Sequence, residues 1–108
     1  MDEHAVVVAD TAGIIQFWNR KAEAFFGYGA PDAVGQSLDL IVPEQYREAH
    51  WKGFRDAMTV GKAKAEGTSF DLPINCRSSV TPFPATFRLI RDASDLVIGA
   101  MLICTAPK

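Results

Sequence analysis

Residues 5–27 read AVVVADTAGIIQFWNRKAEAFFG, and this stretch decides how the chain begins to fold. Ala5-Val6-Val7-Val8-Ala9 is a short β-branched run, Asp10-Thr11-Ala12-Gly13 supplies turn chemistry, and Ile14-Ile15-Gln16-Phe17-Trp18 is a second run, so the two pair as a hairpin. Asn19 follows as a helix N-cap, because its side-chain oxygen can accept from the free amides of the next turn. Arg20 to Phe26 then carries Ala22, Phe25 and Phe26 on one side, and Gly27 suits a left-handed C-terminus. A hairpin runs directly into a short helix.

Working outward, Gly29 to Asp39 is broken by Gly29, Pro31 and Gly35 and has room for only one or two helical turns. A longer helix is predicted from Pro43 to about Thr59. Proline suits a first turn whose amide has no partner, and Glu44 favours the positive end of the helix dipole. Tyr46, His50, Gly53, Phe54 and Ala57 share one face of it, Arg47, Glu48, Lys52, Arg55 and Asp56 populate the others, and Gly61 closes it. After Gly67 the period changes to that of strands: Thr68 to Ile74, Pro82 to Ile90 and Leu96 to Thr105. Pro82 and Pro84 place the start of the second of these at an edge or a bulge. The element order describes an α+β domain whose single antiparallel sheet packs short helices and one longer helix against one face.

The 108 residues are 48% hydrophobic, which fits one compact domain spanning residues 1–108. With 22% charged residues and a formal charge of -2, neither a disordered chain nor an electrostatic nucleic-acid binder is expected. No window approaches the run of apolar residues that spans a bilayer, and Met1-Asp2-Glu3-His4 lacks a signal-peptide layout, so a soluble, cytoplasmic protein without membrane contact is expected. Cys76 and Cys104 are isolated and signal no disulfide framework, zinc site or covalent heme attachment.

The words Val8-Ala9-Asp10, Gly13-Ile14-Ile15, Phe17-Trp18-Asn19, Ala22-Glu23, Phe26-Gly27-Tyr28, Val34-Gly35 and Ile41-Val42-Pro43-Glu44, in that order, make the chain resemble a PAS domain over nearly its whole length. The resemblance implies a five-stranded antiparallel sheet cupped around a pocket beneath the longer helix, used for sensing or for docking another domain. Fold alone does not supply a ligand. PAS domains commonly pair, so a homodimer is implied too, with the effector or partner protein outside these residues.

A narrower resemblance rests on Pro43-Glu44, Arg47 and His50, followed by Gly61-Lys62-Ala63 and Glu66-Gly67. These look like the heme-binding PAS group, which includes oxygen-sensing histidine kinases and phosphodiesterases. The resemblance implies that His50 is the proximal iron ligand of heme b and that Lys64 holds a propionate. Some relatives place a Met and an Arg on the opposite side of the iron, where spacing here puts Thr68 and Phe70. Without a guanidinium, bound oxygen loses a charge-assisted hydrogen bond. Carbon monoxide, nitric oxide or redox state is therefore the expected input. The usual D-x-T junction to an effector is replaced by Thr105-Ala106-Pro107.

The residues themselves make a separate case. His50 lies on an apolar helical face between Tyr46 and Phe54, so its imidazole is predicted to point inward, and neutral imidazole is a good iron ligand. A flat macrocycle needs a wide apolar slot with cations at its rim. Gly53 removes bulk beside His50; Leu72, Ile74, Phe87, Leu89, Ile98, Ala100 and Leu102 are candidate walls; Lys62 and Lys64 are candidate rim cations, with Arg47 and Arg55 less well aimed. The plain alternative is a core histidine bonded to a carbonyl. Trp18 reads as a core or dimer-facing residue, and Trp51 is rotated about 100° from His50 on an ideal helix, so neither is assigned to a cofactor.

No G-x-S-x-G, P-loop or H-E-x-x-H occurs, and no catalytic residue is assigned. The leading expectation is thus a signal-transduction sensor binding heme b and responding to a diatomic gas or redox state. The alternatives are an interaction or dimerisation PAS domain whose pocket is plugged by Phe25, Phe54, Phe70 and Phe87, or one that holds a non-heme small molecule.

Overall fold

The computed structural model describes residues 3–107. Strands β1 (Ala5–Asp10) and β2 (Ile15–Trp18) form the expected hairpin, with Val7 opposite Trp18 and Val8 opposite Phe17. Helix α1 (Arg20–Phe26) starts at Asn19, whose Oδ1 accepts from Ala22 N, and ends at Gly27 in the left-handed region (φ 85°). Asn19 does more than cap. It also accepts from Val6 N and donates through Nδ2 to His4 O, which fastens α1 to β1. The broken segment contributes one turn of helix, α2 (Ala30–Ala33), and a 3-10 turn at Leu38–Leu40.

The longer helix begins later than the pattern predicts. Pro43 opens a 3-10 turn at Glu44–Tyr46, and α3 runs Arg47–Val60 before Gly61 terminates it by donating to Ala57 O. Strands β3 (Phe70–Asn75), β4 (Val80–Arg91) and β5 (Val97–Cys104) complete a five-stranded antiparallel sheet in the order β2-β1-β5-β4-β3. The first strand of the chain therefore lies beside the last, Ala5 facing Cys104.

Three boundaries differ from the sequence reading, each for a local reason. Thr68 is not strand: its hydroxyl donates to Ala65 O at 2.7 Å and its amide to the same carbonyl, a side-chain turn that competes with the ladder. β4 begins at Val80 rather than Pro82 and, as Pro82 and Pro84 implied, its start has a single partner strand. Its proline-bearing start, up to Pro84, is paired only with β3, and pairing to β5 begins at Ala85. At the far end of β5, Ile90 faces Gly99 while Arg91 faces Val97, so Ile98 is the extra residue of a bulge. The bulge turns Val97 into the core against Ala57 and Leu89, and Ile98 outward.

An aromatic-rich region and a smaller aliphatic one flank an unfilled centre. Trp18, Phe25, Phe26 and Phe83 pack at one end, with Phe25 stacked on Phe83 at 5.3 Å between centroids. Ala57, Leu89 and Val97 close the other. Trp18 is buried and donates its indole N–H to Tyr28 O.

Candidate functional site

Between those regions, under α3, lies a cavity of about 800 Å³. That is within the range of small-molecule and cofactor sites. Tyr46, His50, Gly53, Phe54 and Ala57 all line it, so the helical face read from the spacing is the face over the void. Phe70, Leu72 and Ile74 of β3, Phe87 and Leu89 of β4, and Ala100 and Leu102 of β5 form the opposite walls. Lys64 lies at its rim, together with Asp56 and Asp71.

Five predicted contributors fall elsewhere. Ile98 is outside the cavity, 46% exposed on the other face of the sheet, because the β5 bulge reverses the alternation there. Thr68 is exposed in the turn before β3. Lys62 and Arg55 do not reach the lining. Arg47 is engaged instead with backbone: it donates through Nε to Val42 O and through Nη2 to Asp39 O, and its Nε is 3.9 Å from the Asp39 carboxylate. Of the four phenylalanines that were to plug the interior, Phe54, Phe70 and Phe87 line the void without filling it, and Phe25 packs on Phe83 at the far end.

His50 stands in the first half of α3. Its Nδ1 is buried with no hydrogen-bond partner among the described residues. Burial pushes its imidazole below the ordinary histidine range, against a smaller opposing pull from the Asp39 carboxylate. A neutral, weakly tethered imidazole facing an apolar void is a good ligand for iron or a good hydrogen-bond anchor for a polar group. Gly53 adds space: a methyl group there would meet no atom within 4 Å. These two features, the orphaned nitrogen and the open cradle, fit a flat group placed against α3.

Trp51 was not assigned to the site and Glu66 entered only as part of the resemblance, and the structure makes both structural ties of the site. Trp51 donates its indole N–H to Asp39 Oδ1 at 2.7 Å and packs its benzo edge against Gly13 in the β1–β2 turn. Glu66 accepts from Leu89 N, and Gly67 donates to Phe87 O, which fastens the segment after α3 to β4. Nothing in the spacing of these residues connects them.

A family model described as PAS fold matches residues 3–106. The chain belongs to the PAS family. Among curated relatives, this PAS chain is 33% identical over 60 residues to the oxygen sensor protein DosP of Escherichia coli (strain K12). That match covers 56% of this chain and 8% of DosP, so the chain spans a small part of that relative's length. Among solved structures, the PAS domain of a Colwellia psychrerythraea protein superposes with a TM-score of 0.80 at 19% identity, over 96% of this chain and 86% of that one. The PAS domain of the Cronobacter turicensis quorum-sensing receptor RpfR, in complex with C12:0, gives a TM-score of 0.74 at 18% identity, over 98% and 95% of the two chains. The PAS fold inferred from element order is thus the fold adopted.

Proposed function

We propose that this PAS domain binds heme b in the cavity under α3, with His50 as the proximal ligand, and senses a diatomic gas or a change in redox state. The observation that carries the reading is the His50 Nδ1, buried and without a partner among the described residues, on the wall of an apolar space of about 800 Å³. A ring held in the neutral form by burial is ready to donate a lone pair without first losing a proton. Gly53 leaves room for the macrocycle against the helix, Leu72, Phe87, Leu89 and Leu102 supply apolar walls, and Lys64 is the rim cation for a propionate. When bound, the heme iron supplies the open coordination position and the redox couple. The residues of this chain would set its surroundings: Phe70 lines the cavity, and the resemblance aligns it with an arginine donor of some heme-binding relatives, so its phenyl ring would favour ligands that need no donor. Similarity to an oxygen sensor protein supports the class of signal.

The test is a hemin titration followed by visible spectroscopy in the ferric, ferrous and carbon monoxide-exposed states. A Soret band that His50→Ala abolishes supports the reading, and equal spectra for the two proteins overturn it.

A second reading is favoured by the small number of polar groups on the cavity wall and by the C12:0 complex of a PAS domain with the same fold. In it, an acyl chain occupies the void and its carboxylate meets His50 or Lys64. Native mass spectrometry separates the two, since a retained lipid adds its mass without a Soret band.

A further inference from the structure

The His50 ring is positioned by packing rather than by a hydrogen bond at Nδ1. Trp51 meets it edge to face, with centroids 4.8 Å apart and planes at 71°. Phe54 covers another side at 5.8 Å, and Trp51 and Phe54 touch each other at 5.4 Å. Such aromatic contacts set ring orientation as well as burying area.

Trp51 is itself fixed twice. Its Nε1–H donates to Asp39 Oδ1 at 2.7 Å, and its benzo edge lies so close to Gly13 that any Cβ there would collide with it. Gly13 sits at φ 78°, and its carbonyl accepts from Leu38 N at 2.9 Å. The β1–β2 turn and the segment carrying Asp39 are therefore one tied unit. Helix α3 rides on that unit through Trp51, and at its other end rests on Leu89 and Val97 through Ala57. His50, Gly53 and Phe54 lie between the two supports, over the void.

We propose that Trp51 is the positioning residue of His50 and the link by which a ligand at His50 alters the β1–β2 turn. This rests on the reading of His50 as the residue that engages the cavity ligand. His50 cannot shift along or around the helix axis without driving the indole against Gly13 or drawing it from Asp39. The backbone around Gly13 has no slack to absorb that motion, since Asp10 Oδ1 accepts from both Ala12 N and Ile14 N. The turn is thus where ligation is read out in this chain.

The experiment uses the full chain titrated with hemin and compares Trp51→Phe, Asp39→Ala and Asp39→Asn with the unaltered protein. Trp51→Phe keeps an aromatic ring and deletes the donor; Asp39→Ala deletes the acceptor; Asp39→Asn retains an acceptor oxygen. Two readouts are taken, the iron–histidine stretching band of the ferrous protein and the hemin-induced change in amide hydrogen exchange at residues 10–14, with thermal melts as the control for folding. The expected result is a shifted or broadened band and a lost exchange response in Trp51→Phe and Asp39→Ala, with both restored in Asp39→Asn. An unaltered band and exchange response in Trp51→Phe and Asp39→Ala overturn the inference while leaving heme binding in place. Absence of a Soret band in the unaltered protein overturns the heme reading and this inference together.

Discussion

The Glu66 carboxylate accepts the Leu89 amide proton at 2.8 Å, across the point where β4 has outrun its neighbour β3. β3 pairs with β4 only from Phe70 opposite Ala85, so beyond Ala85 β4, still paired with β5 on its other side, presents amides and carbonyls with no strand beside them on the β3 side. Glu66 and Gly67 satisfy two of these groups and hold the segment carrying Ala63, Lys64 and Ala65 against the cavity. Glu66→Ala should lower unfolding free energy by about 1 kcal/mol, the usual result of leaving a part-buried amide without its partner. Urea denaturation measures this, and the Leu89 amide should exchange faster. Glu66→Gln, which keeps an acceptor, should recover most of the loss.

Gly53 separates stability from binding. It sits inside α3 with open space where a side chain would project. Gly53→Ala should raise stability by about 1 kcal/mol, as removal of a helix-interior glycine does. Gly53→Leu should melt no lower than the parent yet take up less hemin. Equal hemin uptake by Gly53→Leu would show that the space beside His50 is not used.

Gly13 and Trp51 should be energetically coupled. Gly13→Ala forces a left-handed conformation that costs about 1–2 kcal/mol and also displaces the indole. Because the smaller phenyl ring of Trp51→Phe relieves part of that collision, the double variant should lose less stability than the two singles together. Chemical denaturation of all four proteins gives the interaction energy directly, and strict additivity would contradict the contact.

Cys104 sets an alkaline limit. Burial, with a smaller contribution from the neighbouring Cys76 thiol, pushes its pKa from 9.0 up to about 12. A thiol raised in the folded state destabilises nothing while both states are protonated. Once pH passes about 9 the unfolded chain ionises first, and stability falls until the folded pKa is reached. The loss at pH 10 should be about 1.4 kcal/mol, and Cys104→Ala should flatten this slope. The same thiol should resist alkylation at pH 8 until the protein is unfolded.

The hairpin, the Asn19 cap, the Gly27 and Gly61 stops and the apolar face of α3 were legible in the sequence because each depends on neighbours within a turn or two. The cavity face followed from helical spacing alone, so Tyr46, His50, Gly53 and Phe54 were placed together without coordinates. Ile98 was misplaced because a bulge is a mismatch between two strands, and β5 by itself shows only alternation. Thr68 was read as strand because a hydroxyl closing on Ala65 O looks the same in sequence as one pointing outward. Trp51 and Asp39 were missed for a different reason: their contacts with each other and with Gly13 join three separate elements, and no local pattern announces such a meeting.

The pairing of Ala5 with Cys104 has a kinetic corollary. Because the earliest and latest strands meet at the middle of the sheet, neither half can dock until synthesis reaches the end of β5. Before then the nascent polypeptide offers two independent ribbons, β1–β2 and β3–β4, with bare inner edges that invite intermolecular pairing. Emergence of β5, rather than collapse of the amino-terminal ribbon, is the moment at which the pocket first acquires a floor.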